Sequence, residues 1–485
     1  MNSPFNEAKY KALLEGLEVS VLNLSEVLSD NQNKRIDSEY FKKEYINFFK
    51  NVQNLKPLGY FAKEGYRVVY ENTKIVDKEE GIKNNYPYFL QATDLDTPFI
   101  NQDNLFYVHN DEWIRYPKGR IKKGEILIEV KGKIDKVAIV PDDFPSKTLV
   151  TGSLFKLTVN DKINKHVLLA YLISKYGKAF KDRFKTNLLI SYVSKPDLYR
   201  IPIPFFSDDF QNHIDKIFKI IFSSKKESQN KYTQAEEILF KELGLKDFEP
   251  SNEPVNIKSF KNSFLTTGRL DAEYYQKKYE DYIKLIKKYK HGFKSFSKVC
   301  NLKDKNYLPN ETKQYKYIEL SDIGKTGDVN GCTISLGKDL PTRARRIVSE
   351  NDVIISTIEG SLDSCALITK EYDNALCSTG FYVVNSDIIN SATLLILFKS
   401  DPMQNILKKS CSGTILTAIN KTELENIPIP IIDYTKQQQI AELIAESFTL
   451  KKQSENLLEI AKRAVEIAIE QDEETAIEYI NSKVS

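Results

Sequence analysis

The chain has 485 residues, 41% of them hydrophobic and 28% charged, a composition that predicts a soluble globular protein with roughly two to four domains and more than one core. Its 70 Lys and Arg residues against 67 Asp and Glu residues leave a net charge of only +3. This balance excludes a histone-like polycation, but it allows a local basic surface that binds nucleic acid.

The sequence predicts neither export nor a membrane anchor. Residues 1–10 are polar, and no run of about 18 apolar residues occurs. The five cysteines are an odd number without Cys-x-x-Cys spacing, which argues against a disulfide scaffold and against a zinc ribbon. We therefore expect a cytoplasmic protein with no membrane partner.

An internal repeat organises the sequence, because five motifs recur in one order at an offset of 226 to 234 residues. The pairs are Arg35-Ile-Asp-Ser-Glu-Tyr-Phe41 with Arg269-Leu-Asp-Ala-Glu-Tyr-Tyr275, Leu90-Gln-Ala-Thr-Asp-Leu95 with Ile318-Glu-Leu-Ser-Asp-Ile323, Gly124-Glu-Ile-Leu-Ile128 with Asn351-Asp-Val-Ile-Ile355, Thr151-Gly152 with Thr379-Gly380, and Ile201-Pro-Ile-Pro204 with Ile427-Pro-Ile-Pro430. From residue 188 to residue 240 the offset is constant at 226. The pattern indicates two copies of one module.

Each copy begins with a strand-rich part. Short segments rich in β-branched residues, which predict buried strands, lie at 126–130, 137–140, 353–358 and 366–368. In the first copy, apolar residues at helical spacing from His166 to Lys185 predict helical structure.

Each copy ends in a long amphipathic segment that follows the Ile-Pro-Ile-Pro motif. Apolar residues at spacings of three and four run from Ile214 to Leu239, after a cap at Asp208 or Asp209, and again from Ile440 onwards. Roughly 35 residues make a helix of about 50 Å. Because a helix so long and so one-sided needs a partner, we expect the two helices to form a coiled coil.

This arrangement resembles the specificity (S) subunit of type I restriction–modification systems. The likeness extends over nearly the whole chain and is carried by the paired Arg-x-Asp motifs, Ser412-Gly-Thr-Ile415, Lys421-Thr-Glu-Leu-Glu-Asn-Ile-Pro-Ile-Pro430 and Gln437-Gln-Gln-Ile-Ala-Glu442. The first copy departs from it where Lys185-Thr-Asn-Leu188 replaces Cys411-Ser-Gly-Thr414. Individual residue roles therefore transfer less directly at that position.

The resemblance implies an α+β fold in which two strand-rich target recognition domains are separated by two long antiparallel helices with pseudo-two-fold symmetry. The expected divisions are 1–34, a permuted segment that completes the repeat; 35–205, the first recognition domain; 206–250, the first long helix and linker; 251–430, the second recognition domain; and 431–485, the second long helix and tail.

The resemblance also implies a function. Each recognition domain would read one half of a bipartite site in double-stranded DNA, and the helices would set the spacer and dock two methyltransferase (M) subunits. The M subunits would carry the endonuclease/translocase (R) subunits. Specificity subunits of this kind are not catalytic, so we expect no cofactor here; S-adenosylmethionine, ATP and Mg²⁺ would belong to the partner subunits.

Basic side chains are the first candidates for DNA contact, because they meet phosphates and, in the case of Arg, guanine edges. Residues 165–195 hold seven Lys and Arg against one Asp. The candidates are Lys118, Arg120, Lys178, Lys181, Arg183, Lys185, Arg343, Arg345 and Arg346. The alternative for each is a solvated charged surface.

Hydroxyl-bearing loops and a glutamine run are the second group of candidates. Thr151, Ser153, Thr379, Ser412 and Thr414 stand beside glycines, in loops that could bring backbone amides close to phosphate or could be plain turns. The run Gln437, Gln438 and Gln439 could contact the M subunit or simply begin a helix.

Motifs for catalysis are missing from the sequence. No Asn/Asp-Pro-Pro-Tyr/Phe loop typical of adenine methyltransferases occurs, and Glu129-Val-Lys131 has only half of a metal-dependent nuclease motif. The four histidines show no metal-ligand spacing. The alternatives are a specificity subunit that serves a fused restriction–modification enzyme, a coiled-coil scaffold that does not bind DNA, and an enzyme that acts alone.

Overall fold

A computed structural model describes residues 6–17, 19–29, 31, 33–52, 54–70, 73–103, 105–186, 188–246, 248–413 and 417–484. The chain divides into two compact units. Unit 1 comprises Met1–Phe222 with Ser454–Ser485, and unit 2 comprises Ser223–Gln453. The finer domain boundaries drawn from the sequence stay a prediction.

Unit 1 contains short helices and strands that bury several hydrophobic clusters. Its helices are Glu7–Leu13, Leu24–Leu28, Lys43–Asn51, Leu58–Phe61, Lys78–Lys83, Asn110–Arg115, Lys165–Ile173, Lys175–Phe184, Lys195–Tyr199 and Glu473–Val484. Its strands are Lys56–Pro57, Ala62–Arg67, Ile75–Val76, Tyr88–Leu90, Leu95–Asp96, Phe99–Ile100, Phe106–Val108, Ile126–Glu129, Val137–Ile139, Thr148–Val150, Leu154–Val159 and Pro202–Ile203.

Two four-stranded sheets form the strand-rich part of unit 1. The antiparallel sheet has the order Ala62–Arg67, Leu154–Val159, Ile126–Glu129, Val137–Ile139. The mixed sheet has the order Thr148–Val150, Tyr88–Leu90, Phe106–Val108, Ile75–Val76, and its first two strands are parallel. All four residues of Ile126–Glu129 are buried, as expected for a central strand that is covered on both faces.

Unit 2 repeats this pattern. Its helices are Phe264–Thr267, Lys277–Lys287, Phe296–Val299, Ser391–Lys399, Asp401–Lys409 and Lys421–Glu425. Its strands are Phe293–Ser295, Asn301–Leu302, Gln314–Ile318, Thr333–Leu336, Ala344–Ile347, Val353–Ser356, Cys365–Leu367, Leu376–Ser378, Phe381–Asn385, Cys411–Ser412, Ala418–Ile419 and Pro428–Pro430.

The antiparallel sheet of unit 2 matches that of unit 1 in strand order and direction, whereas the mixed sheets both contain one parallel pair but differ at their edges. The antiparallel sheet runs Asn301–Leu302, Phe381–Asn385, Val353–Ser356, Cys365–Leu367. The mixed sheet runs Thr333–Leu336, Gln314–Ile318, Leu376–Ser378, Ala344–Ile347, with the middle pair parallel. The four strands predicted from β-branched segments are confirmed, and so is the α+β fold class.

The Ile-Pro-Ile-Pro motif forms a short strand in both units. Pro202–Ile203 pairs antiparallel with Lys56–Pro57, and Pro428–Pro430 pairs antiparallel with Phe293–Ser295. Both are two-stranded ladders. Proline has no backbone N–H to donate, so an edge position of this kind suits it.

Both long helices are present, at Asp208–Leu243 and Tyr434–Glu470. In unit 2, Ser228 donates to the Ser447 carbonyl oxygen and Lys231 pairs with Glu446. The partner's number falls as the residue number rises, so the helices are antiparallel there. In unit 1, the hydroxyl of Ser454 donates to the Ile221 carbonyl oxygen at 3.0 Å. The 226-residue offset maps this bond onto the one from Ser228, so the symmetry of the repeat extends into the coiled coil.

The helical spacing from His166 to Lys185 corresponds to two helices, because Ser174 divides the segment into Lys165–Ile173 and Lys175–Phe184. Ser174 caps the second helix by accepting a hydrogen bond from the Gly177 amide. A Cβ atom at Gly177 would lie 2.2 Å from the Tyr171 carbonyl oxygen, so only glycine allows the two helices to pack this closely. Helical spacing continues through the break because both helices bury apolar residues in one core.

In both units the arginine of the Arg-x-Asp motif binds the motif's aspartate and distant backbone carbonyl oxygens. We call this arrangement the arginine clamp. In unit 1, the Arg35 guanidinium binds the Asp37 carboxylate and donates to the carbonyl oxygens of Arg183 and Lys185, at 3.1 and 2.8 Å. In unit 2, Arg269 binds the Asp271 carboxylate and donates to the Cys411 carbonyl oxygen at 2.9 Å. In each unit this arginine holds the end of a core helix, which is Lys175–Phe184 in unit 1 and Asp401–Lys409 in unit 2.

No helix within the described ranges is long and apolar enough to cross a membrane. The five cysteines are free thiols. Cys300, Cys365, Cys377 and Cys411 are buried, and burial raises the pKa of each of these thiols.

Candidate nucleic-acid interface

Three segments of unit 1 meet along one line of backbone hydrogen bonds. The Val130 amide donates to the Ser153 carbonyl oxygen at 2.9 Å, and the Val193 amide donates to the Val130 carbonyl oxygen at 2.9 Å. These bonds join the 151–153 turn, the strand end at 130–133 and the 186–192 loop. We call these three segments the unit 1 edge.

The same line of hydrogen bonds occurs in unit 2. The Thr357 amide donates to the Gly380 carbonyl oxygen at 2.9 Å, and the Ile419 amide donates to the Thr357 carbonyl oxygen at 2.8 Å. The segments joined here are the 378–380 turn, the strand end at 357–360 and the 412–418 loop, which together form the unit 2 edge. The candidate Thr414 lies outside the described residues.

The turns bring the predicted hydroxyls to these edges. Thr151 and Ser153 are half-buried, with their hydroxyl oxygens 2.7 Å apart. A Cβ atom at Gly152 would lie 2.8 Å from the Val68 carbonyl oxygen, so the close approach of these chains requires glycine. The Arg67 guanidinium donates to the Gly152 carbonyl oxygen at 2.6 Å and fixes the turn.

In unit 2, Thr379 is exposed, and its amide donates to the Arg343 carbonyl oxygen at 2.9 Å. The Arg343 side chain is 62% exposed, and its guanidinium lies 2.6 Å from the Glu319 carboxylate, which raises the pKa of Arg343. The structure therefore brings two predicted residues together on an open surface. Ser412 is half-buried in the strand Cys411–Ser412, which pairs with Ala418–Ile419.

The other two arginines of the cluster point elsewhere. The Arg345 guanidinium donates to the Thr342 carbonyl oxygen at 2.9 Å and remains partly exposed. Arg346 pairs with Cys377 in the mixed sheet, and its Nε and Nη1 are buried with no hydrogen-bond partner in the described ranges. Of these two, Arg345 is the better placed for an external ligand.

Lys118 and Arg120 lie beside the unit 1 edge. Between them, a Cβ atom at Gly119 would lie 3.1 Å from the Val68 side chain, and Val68 itself adjoins the 151–153 turn. Lys118 is exposed, with its ammonium 5.4 Å from the centroid of the Tyr66 ring. The Arg120 guanidinium stacks on Trp113 at 4.3 Å and donates to the Trp113 carbonyl oxygen at 2.7 Å. Lys118 is thus available to DNA, whereas Arg120 is engaged in packing.

The basic run on the helix Lys175–Phe184 is not one continuous surface. Lys181 is 1% exposed, and its ammonium donates to the Asp135 carbonyl oxygen at 3.0 Å. Burial lowers the pKa of Lys181 to about 8. Arg183 is 6% exposed, donates to the Tyr40 carbonyl oxygen at 3.0 Å and lies 4.4 Å from the centroid of that residue's ring. Side chains this deeply buried cannot reach a phosphate, so both belong to the core.

The two other lysines of this run remain near solvent. Lys178 is exposed. Lys185 is half-buried at the base of the 186–192 loop, and its ammonium lies 2.7 Å from the Asp182 carboxylate. An exposed ion pair of this kind is weak and does not prevent Lys185 from meeting another anion.

Gln437 has a structural position. Its side-chain oxygen accepts from the Asn390 amide at 2.8 Å, and its side-chain nitrogen donates to the Ile432 carbonyl oxygen at 2.9 Å. In unit 1, Gln211 makes the same two contacts, accepting from the Asn164 amide and donating to the Phe206 carbonyl oxygen. Because Gln437 is 4% exposed, it locks a helix start within its own unit and is not free to meet a partner chain.

Gln438 and Gln439 are exposed beside it. The Gln439 side-chain oxygen accepts from the Lys436 ammonium at 3.1 Å. Of the three glutamines, these two are the ones that a partner can reach.

Lys131 and Lys133 are residues that the sequence did not single out for DNA contact. Both are exposed beside the 186–192 loop, since the Gly132 amide between them donates to the Ser191 carbonyl oxygen at 3.0 Å. In the sequence, Lys131 stands in a half-motif for nucleases. The structure gives Glu129 another role, because its carboxylate accepts from the amides of Asp135 and Lys136 and holds the following turn.

In unit 2 the position that matches Gly132 is acidic. The Glu359 amide donates to the Thr417 carbonyl oxygen at 3.1 Å, and the Glu359 carboxylate accepts from the Thr417 hydroxyl. Glu359 is half-exposed. The two edges therefore share a backbone arrangement and differ in charge. Within the described ranges, no three His, Cys, Asp or Glu side chains lie close enough to hold a metal ion.

Comparison with known proteins gives a family match for part of the chain. Residues 261–459 match the model of the type I restriction modification DNA specificity domain. The specificity subunit of the type I restriction enzyme HindI of Haemophilus influenzae is 30% identical over 129 residues, which is 24% of this chain and 28% of that relative. The chain thus matches less than a third of the length of this curated relative.

Two solved structures are also similar. The type I S subunit from M. genitalium is 12% identical, with a TM-score of 0.40 over 89% of this chain and 96% of that one. The HsdS subunit from Thermoanaerobacter tengcongensis is 14% identical, with a TM-score of 0.27 over 86% and 97%. Residues 261–459 match the type I restriction modification DNA specificity domain, and the resemblance to type I specificity subunits is confirmed by these sequence matches.

Proposed function

We propose that the protein is the DNA-recognition subunit of a type I restriction–modification complex and that each unit reads one half of a bipartite target. The observation that carries this proposal is the repeated edge. Residues 261–459 match a DNA specificity domain, and unit 1 builds the same edge with the same pair of backbone hydrogen bonds. A second copy of a DNA-reading module provides a second half-site.

Exposed and partly exposed cations supply the phosphate contacts in this proposal. Lys118, Lys131, Lys133 and Lys178 serve in unit 1, and Arg343 and Arg345 serve in unit 2. Lysine is a point charge that attracts phosphate without reading sequence, whereas arginine can also bind guanine through two hydrogen bonds. The near-neutral net charge of +3 is consistent with binding through these local surfaces rather than through the whole molecule.

The long helices set the spacer between half-sites and dock two M subunits, which carry the R subunits. Their exposed faces, including Gln438 and Gln439, are the surface available for docking. In this proposal the chain has no catalytic activity, and S-adenosylmethionine, ATP and Mg²⁺ bind to the partner subunits.

Methylome sequencing of cells that express the chain with the methyltransferase subunits of its own system tests the proposal. We expect a methylated motif of two short half-sites separated by an unread spacer. Exchange of residues 35–205 for those of another specificity subunit should change one half-site and leave the other intact. An unsplit motif, or a change in both halves, would contradict it.

Salt dependence separates this function from that of a scaffold that does not bind DNA. Each phosphate neutralised by a cation releases counterions, so the affinity of the complex for duplex DNA should fall steeply as salt rises from 50 to 200 mM. The matched control is the same complex assembled with a chain in which Lys118, Lys131 and Lys133 are all changed to Gln. A scaffold would show no such slope in either form.

A further inference from the structure

The 186–192 loop of unit 1 carries an exposed apolar tip. Leu188, Leu189 and Ile190 are 61%, 103% and 58% exposed, three consecutive large apolar side chains in solvent. We propose that this loop inserts its tip between stacked base pairs of the bound duplex and unstacks them. The inference rests on the proposed function and assigns a DNA-deforming role to one segment of the unit 1 edge.

Hydrogen bonds fix the base of the loop, as an inserting segment requires. The Thr186 amide donates to the Tyr192 carbonyl oxygen at 2.9 Å, and the Tyr192 amide donates to the Thr186 hydroxyl at 3.1 Å. Lys131 and Tyr192 form a backbone bridge next to this closure. The tip therefore projects from a base that is tied to the strand end of the unit 1 edge.

Charge around the tip favours DNA as the occupant. Lys131 and Lys133 are exposed on the adjoining strand end, and neither has an acidic partner within the described ranges. Lys185 stands at the base of the loop. Lysines on either side of a duplex step would hold the two phosphate backbones while apolar side chains enter the groove between them.

The size of the tip also favours DNA. Stable protein–protein interfaces bury roughly 1,200–2,000 Å², and three side chains on a narrow loop offer only a small part of that area. Wedges that kink DNA consist of one or a few residues of this type, such as Leu, Ile or Phe. The occupant that fits is thus a base step of double-stranded DNA.

The strand end beside the corresponding loop has a different charge in unit 2. There the strand end next to the 412–418 loop carries Glu359, whose carboxylate would repel phosphate. We therefore expect unstacking only within the half-site that unit 1 reads.

The test uses the full chain assembled with its methyltransferase subunits and a 40-base-pair duplex of the methylated motif, with 2-aminopurine at successive positions of both half-sites. The wild-type complex should raise 2-aminopurine fluorescence at one step of the unit 1 half-site. Leu189→Ser should abolish this rise and weaken binding about tenfold, with the salt slope unchanged. Ile257→Ser, at a residue that is 90% exposed in unit 2, is the matched control and should change neither measurement.

The outcomes separate the two proposals. A wild-type complex without salt-dependent DNA binding would overturn the proposed function itself. Salt-dependent binding with full fluorescence and affinity in Leu189→Ser, and in the triple variant Leu188→Ser, Leu189→Ser, Ile190→Ser, would overturn only the wedge. Loss of methyltransferase subunits from either variant on gel filtration, with DNA unstacking retained, would also overturn it and reassign the tip to a protein contact.

Discussion

The edges of the two units share one arrangement of backbone hydrogen bonds but differ in the charge of their exposed side chains. Val130 in unit 1 and Thr357 in unit 2 make equivalent hydrogen bonds to a turn on one side and to a loop strand on the other. Next to them, unit 1 presents Lys131 and Lys133, whereas unit 2 presents Glu359. In a protein with a repeated fold, backbone hydrogen bonds preserve the platform while the exposed side chains are free to differ. In the proposed function, this difference would let two similar units read different half-sites.

The cores differ in the same way, at positions related by the 226-residue offset. Lys181 is buried in unit 1 where unit 2 has the fully buried Leu407. Arg183 lies over the Tyr40 ring, and its counterpart Lys409 lies over Tyr274 with its ammonium 3.4 Å from the centroid. In both units a cation thus lies over the tyrosine of the Arg-x-Asp motif. Lys409 of unit 2 can lose its proton in an accessible pH range, whereas Arg183 of unit 1 cannot, because an arginine stays charged.

The largest difference that we expect between the units concerns their arginine clamps. Arg35→Ala leaves two carbonyl oxygens without a donor, and Arg269→Ala leaves one. A buried acceptor without a partner costs roughly 1–3 kcal/mol, and these sites are partly buried. We expect Arg35→Ala to lower the free energy of unfolding of unit 1 by roughly 2–4 kcal/mol and Arg269→Ala to lower that of unit 2 by roughly 1–2 kcal/mol.

Hydrogen exchange of the central strands, Ile126–Glu129 and Val353–Ser356, measures the two losses separately. Lys178→Ala, at an exposed position on the helix that the clamp holds, is the control and should change protection little. Equal losses in the two units would show that the number of bonded carbonyls does not govern the strength of the clamp.

A second, smaller difference concerns pH. Burial lowers the pKa of Lys181 to about 8, from an ordinary value of 10.5. Between these values the unfolded chain keeps the proton and the folded chain releases it, so the stability of unit 1 should rise from about pH 8 to about pH 10.5, by roughly 3 kcal/mol in all. Lys181→Leu, which introduces the side chain found at Leu407, should remove this rise and leave unit 1 at least as stable at pH 7.

Exchange of the Ile126–Glu129 amides in the folded protein at several pH values, corrected for intrinsic rates, measures the effect. The control is Lys178→Leu on the exposed face of the same helix, which should keep the wild-type pH profile. Burial also lowers the pKa of Lys409 to about 8, so the stability of unit 2 should rise with pH in the same direction. A rise that persists in Lys181→Leu would show that a group other than Lys181 causes it.

The smallest effect that we expect is on DNA binding and compares the edges directly. In the assembled complex, Lys131→Gln should lower the slope of log affinity against log salt by about 0.9, the value for one phosphate contact. Glu359→Gln should raise affinity about two- to fivefold at low salt, since a repulsive carboxylate is removed at distances where salt screens it only partly. Fluorescence anisotropy between 50 and 200 mM salt measures both.

Lys370→Gln is a matched control for charge removal, because this lysine is exposed in unit 2 and is not part of the edge segments. It should leave the slope unchanged. Equal effects of Lys131→Gln and Lys370→Gln would show that the edge has no special part in DNA binding.

Much of this architecture follows from local pattern. The offset of 226 residues, the two Ile-Pro-Ile-Pro strands, the central strands and both long helices are readable because apolar periodicity and proline act over a few residues. The break at Ser174 is not readable in this way, since the helices on both sides bury apolar residues in the same core and the spacing continues through it. Gly177, which allows their close contact, looks like any other glycine in a helix.

The candidate site was harder to predict for a related reason. Lys178, Lys181 and Arg183 are neighbours in the sequence with the same charge, yet Lys178 is exposed and the other two are buried. A lysine in a basic run does not reveal which face of its helix packs on the core. Lys131, in contrast, gains its place beside the 186–192 loop only because Gly132 bonds to Ser191, which is 59 residues away in the chain.

By itself, the sequence of this protein determined that two similar modules exist, where their strands and long helices lie and which family they resemble, because repeats and periodicity are properties of order along the chain. Only the tertiary structure decided which cations face solvent, which ones fill the cores and which loops share an edge. Those outcomes depend on contacts between distant residues, such as Val130 with Val193 or Arg35 with Lys185, whose pairing is set by the packing of the whole unit.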